Sequence, residues 1–122
     1  MVVNKTVSLV GENKDKTILN GTTIDPTMIV NASNLFIKGF TFVGYTFNNI
    51  IINATHNVII AENRIVFNAV GIDVENSENV TMTRNILNGL GLDNTGIMLS
   101  HSSGCKIINN TVTNAILSGI WH

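Results

Sequence analysis

Short apolar runs recur through this chain at a nearly constant interval, and a period of this length constrains the fold more than any other property of the sequence. Asn34-Leu35-Phe36-Ile37, Asn57-Val58-Ile59-Ile60, Asn79-Val80-Thr81-Met82 and Gly104-Cys105-Lys106-Ile107 align at offsets of 23, 22 and 25 residues. A second series runs in phase with the first: Met28-Ile29-Val30, Ile50-Ile51-Ile52, Ile72-Asp73-Val74, Ile97-Met98-Leu99 and Ile120-Trp121-His122, at offsets of 22, 22, 25 and 23. Two markers with one period define a unit of about 22 residues.

Inside each unit the apolar residues alternate, as in Val58/Ile60, Ile72/Val74, Val80/Met82 and Ile97/Leu99. That is the period of a strand with one buried face. The strands are short and are separated by clusters such as Asn76-Ser77-Glu78-Asn79 and Ser100-His101-Ser102-Ser103-Gly104. These residue types tolerate left-handed backbone and cap turns with their own side chains. The chain has 19 Asn, 17 Ile and 12 Val against one Pro and five Ala, and no segment offers an amphipathic helix. A unit this small cannot bury its apolar face alone. Stacking solves the problem, each strand pairing in parallel with its equivalent in the next unit about 4.8 Å away. The expected fold is all-β: a parallel β-solenoid of about five and a half coils of roughly 22 residues.

Stacking turns sequence offsets into columns. Leu35/Val58/Val80/Cys105, Ile37/Ile60/Met82/Ile107, Phe42/Ile65/Leu87/Val112 and Met28/Ile50/Ile72/Ile97/Ile120 should point inward, which makes Cys105 a core residue and not a reactive thiol. Asn63, Asn85 and Asn110 each fall six residues after a unit marker and should stack as an internal amide ladder. The equivalent position one unit earlier is Phe40, after Gly39, so the ladder should end there on an aromatic plug.

Asn79-Val80-Thr81-Met82-Thr83-Arg84-Asn85 and the Gly96-Ile97-Met98-Leu99 strand resemble the repeats of right-handed parallel β-helix proteins, and the resemblance covers nearly the whole chain. That group includes pectate-lyase-like enzymes, carbohydrate-binding and sugar-hydrolase repeat proteins, copper-site maturation proteins of denitrifying bacteria and adhesin-like surface proteins of methanogenic archaea. The segment from Val7 to Leu19 is similar to the first coil of many such proteins, the archaeal surface type especially. The resemblance implies the handedness of the fold and an extracellular or cell-surface location. The domain expectation is a single β-helix domain over 1–122, first coil about 1–27 and repeats about 28–122, cut from a longer solenoid.

Several function classes are excluded or disfavoured by charge and spacing. Seven Lys and Arg against eight Asp and Glu, scattered along the chain, give no basic surface for nucleic acid. No apolar run approaches the length of a membrane-spanning helix. Polysaccharide hydrolases need two carboxylates held several ångströms apart, one kept protonated. Asp73 and Glu75, at i and i+2 of one strand, are the nearest approach, and the expectation for them is ordinary solvated acids. Glu62 and Arg84 share a repeat position and should form a surface ion pair. His56, His101 and His122 invite a metal hypothesis with Met98 as a soft ligand, but their repeat positions disagree, so neither a metal nor a cofactor is expected.

The outward column Ile29, Ile51, Asp73, Met98 and Trp121 is apolar at four of five positions. Exposed apolar surface of that extent marks a contact, which makes Ile51, Asp73, Met98 and Trp121 the candidate binding residues for a glycan or a surface protein. The functional expectation is a non-enzymatic structural or adhesin-like module. Six Asn-x-Ser/Thr sequons, at Asn4, Asn20, Asn31, Asn53, Asn79 and Asn109, agree with an exposed location. Two alternatives stand beside it: a lyase- or hydrolase-type enzyme on acidic glycans, and a fibre or sheath subunit that self-associates end to end through open coils.

Overall fold

The computed structural model describes residues 1–122 except 46, 91–93, 116, 117 and 122; for 118–121 it describes the backbone alone. Every third strand joins the same sheet, so the chain winds through three parallel sheets once per coil. The first sheet is built from Val2–Val3, Met28–Val30, Asn48–Asn53, Val70–Glu75, Thr95–Ser100 and Ser118–Trp121. The second contains Ser8–Val10, Leu35–Lys38, His56–Ala61, Glu78–Thr83 and Lys106–Ile108, and the third Ile18–Asn20, Thr41–Val43, Arg64–Phe67, Ile86–Gly89 and Thr111–Thr113. This is a right-handed parallel β-helix of about five turns, the hand that parallel crossovers adopt almost without exception.

Register follows the repeat. Ile72 pairs with Ile50 and Ile97, Val80 with Val58, Met82 with Ile60 and Ile107, and Leu87 with Ile65 and Val112. These columns fill the lumen: Met28, Ile37, Phe42, Ile50, Ile60, Ile65, Ile72, Met82, Leu87 and Ile97 are fully buried. Cys105 departs from the sequence expectation. It packs against the core but is half-buried, as are Ile107 and Val112 of the same coil, whose strands are the outermost of their sheets among the described residues; its Sγ lies 3.7 Å from the Ser103 carbonyl.

The corners turn by left-handed residues stacked in their own columns: Asn34, Asn57, Asn79 and Gly104; Gly39, Glu62, Arg84 and Asn109; Ala54, Asn76 and His101. Asparagine adopts this conformation at lower cost than most residues, which accounts for its abundance at the corners. Inside the lumen Asn63, Asn85 and Asn110 form one column. The backbone N–H of Asn63 donates to Asn85 Oδ1 at 3.0 Å, and that of Asn85 to Asn110 Oδ1 at 2.9 Å. At the lower end the Phe40 N–H donates to Asn63 Oδ1 at 3.0 Å, and the Phe40 ring lies tilted against Phe42 with centroids 5.8 Å apart. A second internal polar corner has no counterpart in the sequence reading: Thr27 donates its hydroxyl to Asn49 Oδ1, and Asn49 Nδ2 donates to the Val66 carbonyl.

Candidate functional site

The outer face of the first sheet carries the column singled out from the sequence. Val2, Ile29, Ile51, Asp73, Met98 and Trp121 are register neighbours on successive strands. Alternation alone predicts an open stripe, and the structure corrects this. Ile29, Ile51 and Met98 are half-buried, and Asp73 is only 2% exposed. Trp121 keeps the register, but its side chain lies outside the described residues.

Asp73 is the anomaly of this face. Its Oδ2 accepts a hydrogen bond from Asn48 Nδ2 at 3.0 Å, whereas Oδ1 is buried and meets no donor. Ile51 and Met98 flank it along the solenoid axis, and Glu75 lies two residues further on the same side of the strand. Burial raises the Asp73 carboxyl to about 7, and hydrogen bonding with Glu75 and the charge of that group add to the shift. A protonated Asp73 resolves the missing donor, since its hydroxyl can be given to Glu75. The expectation of a solvated acid is thereby overturned: position on a strand sets which way a side chain points, not how much neighbouring chain lies over it. Asn48, which contributes the amide, was not among the sequence candidates. Its only signal is the Asn48-Asn49 pair opening the strand, one amide directed outward to Asp73 and the next inward to the Thr27 corner.

Asp73 and Glu75 stand at i and i+2 on one face of a strand, and burial makes Asp73 the proton-bearing member of the pair on the acid side of about 7. The face thus holds a buried carboxyl framed by aliphatic side chains.

The remaining titratable candidates are dispersed. Glu62 joins Lys38 and Arg84, each at 3.1 Å, so the ion pair expected from the repeat is present with a third member. These cations hold the Glu62 carboxyl below its usual range through hydrogen bonds, that of Lys38 foremost. His56 is a register neighbour of Glu78 at the start of its strand in the second sheet, while His101 occupies a left-handed corner between the first and second sheets. His122 lies outside the described residues.

Residues 2–122 match the protein family NosD, described as periplasmic copper-binding protein. The chain belongs to the NosD family. No curated protein and no solved structure matches it. Copper sites draw on several converging His, Cys or Met donors. Among the described residues of this NosD-family chain the donors do not converge on such a site. Met98 lies on the outer face of the first sheet, Cys105 packs half-buried against the lumen, and His56 and His101 stand in different columns. Among the described residues no three His, Cys, Asp or Glu side chains come together, and no helix is long and apolar enough to cross a membrane.

Proposed function

We propose that the chain is a non-enzymatic β-helix module of an envelope or cell-surface protein, and that it contacts a glycan or a surface protein through the outer face of its first sheet. The observation that carries this reading is Asp73. A carboxyl buried on an outward face, with one oxygen lacking a donor and aliphatic residues on both sides, costs folding energy that no lumen packing requires. Such costs concentrate where a surface serves recognition. The family description, periplasmic, agrees with an envelope location. Ile51 and Met98 supply apolar contact, Asp73 the polar centre, and Trp121, next in register to Met98, an aromatic position.

Binding of the purified chain to arrayed glycans and to isolated envelope fractions tests the reading, with the double substitution Met98→Ala and Trp121→Ala as the control. Binding that disappears in the double variant, with the unfolding transition unchanged, supports this face. Binding that survives it moves the contact elsewhere. Turnover of an acidic glycan that is lost in Asp73→Asn would replace the proposal with an enzymatic one.

A further inference from the structure

A second face carries an independent contact surface. On the second sheet Phe36, Ile59, Thr81 and Lys106 are register neighbours pointing outward, and two residues before each of them stand the left-handed Asn34, Asn57, Asn79 and Gly104. The asparagines form an external ladder: Asn57 Nδ2 donates to Asn34 Oδ1 at 3.0 Å and Asn79 Nδ2 to Asn57 Oδ1 at 3.4 Å. At Gly104 the ladder stops for want of a side chain. A Cβ there would run into Asn79 Oδ1, so the glycine leaves that oxygen open as an acceptor. The gap forms the end of a shallow groove of about 250 Å³ lined by Asn57, Ile59, Asn79, Thr81, Gly104 and Lys106.

The lining defines what it can hold. Ile59 is 39% exposed and gives an aliphatic floor. The backbone of Thr81 is paired within the sheet, while its hydroxyl meets no partner among the described residues and can both donate and accept. Lys106 is exposed and takes no part in the ion pairs of the described residues, which use Lys38, Arg64 and Arg84. An open acceptor, a hydroxyl, an apolar floor and a cation without a counter-charge together match a polyhydroxylated, carboxylate-bearing ligand. Adjacent coils repeat about every 4.8 Å, close to the length of one sugar ring in an extended chain. A peptide strand is the poorer fit, because it recognises a sheet through a free edge, and the strands His56–Ala61 and Glu78–Thr83 are paired on both sides.

We infer that the groove beside Gly104 on the second sheet binds a linear acidic glycan lying along the solenoid axis, with a carboxylate on Lys106, hydroxyls on Asn79 and Thr81, and a ring face on Ile59. This does not rest on the proposal for the first sheet.

Titration calorimetry of the full chain with short oligogalacturonates, the matching neutral oligosaccharides, monomeric galacturonate and polyglutamate tests it. The expected result is binding of the acidic oligosaccharide that weakens with salt, with polyglutamate and the neutral chain bound at least about tenfold more weakly. Lys106→Gln lowers affinity about tenfold and Lys106→Arg retains it. Gly104→Asn is the decisive variant: Asn34, Asn57 and Asn79 already hold this backbone conformation, and the new Cβ displaces Asn79 Oδ1, the rotatable end of a side-chain amide, from the groove. It should fold as the parent does and abolish binding, while Lys16→Gln, which removes an exposed cation outside the groove, changes nothing. No binding of oligogalacturonate, equal binding of polyglutamate, or full affinity in both Gly104→Asn and Lys106→Gln would overturn the inference. Preference for monomeric galacturonate over the oligomer would also overturn it, because the groove would then hold a single acid and not a chain.

Discussion

The side-chain oxygen of Asn85 receives both the backbone N–H of Asn63, at 3.0 Å, and the Asn63 amide, at 3.3 Å, while the Asn85 amide reaches the Ile60 carbonyl at 2.9 Å. One side chain thus stands in for a strand ladder at a corner where the backbone turns too sharply to pair. Replacing it with alanine leaves a buried donor and a buried acceptor without partners. Asn85→Ala should therefore cost about 2–4 kcal/mol in urea unfolding. The matching change on the external ladder, Asn57→Gly, keeps the left-handed backbone accessible and leaves only exposed groups that water can satisfy, so it should cost below about 1 kcal/mol. Equal losses at the two sites would remove the distinction between lumen and surface ladders.

Val80 sits fully buried in register with Val58, its outward neighbours being Asn79 and Thr81. Val80→Asp places an unpaired charge among buried apolar side chains and should cost several kcal/mol, on the order of 4. Thr81→Asp, one residue on and pointing out, should be nearly neutral. The pair of variants checks strand orientation by stability alone, through the midpoint of chemical unfolding.

The lumen columns, their register and the internal asparagine column were legible because a solenoid converts sequence period directly into spatial neighbours. Alternation then decides which side chains enter. Neither rule speaks to what lies over an outward residue. That depends on the chain between strands, and so Asp73 with its Asn48 partner, buried on the outer face, could not be read from the repeat. Cys105 failed for a related reason. Its column is right, but its coil contributes the outermost strand of the second sheet among the described residues, and Cys105, like Ile107 and Val112, is half-buried there.

Asp73 gives the protein a pH dependence of defined sign. The folded state holds this proton up to about 7, whereas an ordinary aspartate releases it near 3.8. Between those values the folded state binds more protons than the unfolded state, so the contribution of Asp73 to stability is fully present on the acid side and declines as pH rises. The slope is at most about 1.4 kcal/mol per pH unit for a single site. Asp73→Asn removes the titration and keeps a donor for Glu75. It should flatten the profile between pH 4 and 7 and exceed the parent in stability at pH 8. A parent and variant with parallel profiles would mean that Asp73 ionises normally.

The Thr27–Asn49 corner yields a prediction at a glycine. Gly44 packs so closely that a Cβ would overlap the Asn49 side-chain amide and approach Thr27 Oγ1 within 2.6 Å, and Gly21 presses on the same threonine. Both partners are buried and hydrogen-bonded to each other, so neither can swing away without losing a buried bond, although the Thr27 hydroxyl also reaches the Val43 carbonyl at 3.2 Å. Gly44→Ala should therefore destabilise by about 1–3 kcal/mol, although alanine is the better residue wherever space allows. Asn49→Ala alone should also destabilise, by taking away the buried acceptor of the Thr27 hydroxyl, which keeps only the Val43 carbonyl at 3.2 Å, and one of the two donors to the Val66 carbonyl. In the double variant the overlap is gone, so the combined loss should fall short of the sum of the two single losses by about 1 kcal/mol. Strict additivity in urea unfolding would show that Gly44 is not kept small by Asn49, and that some other contact fixes the turn between the third sheet and the first.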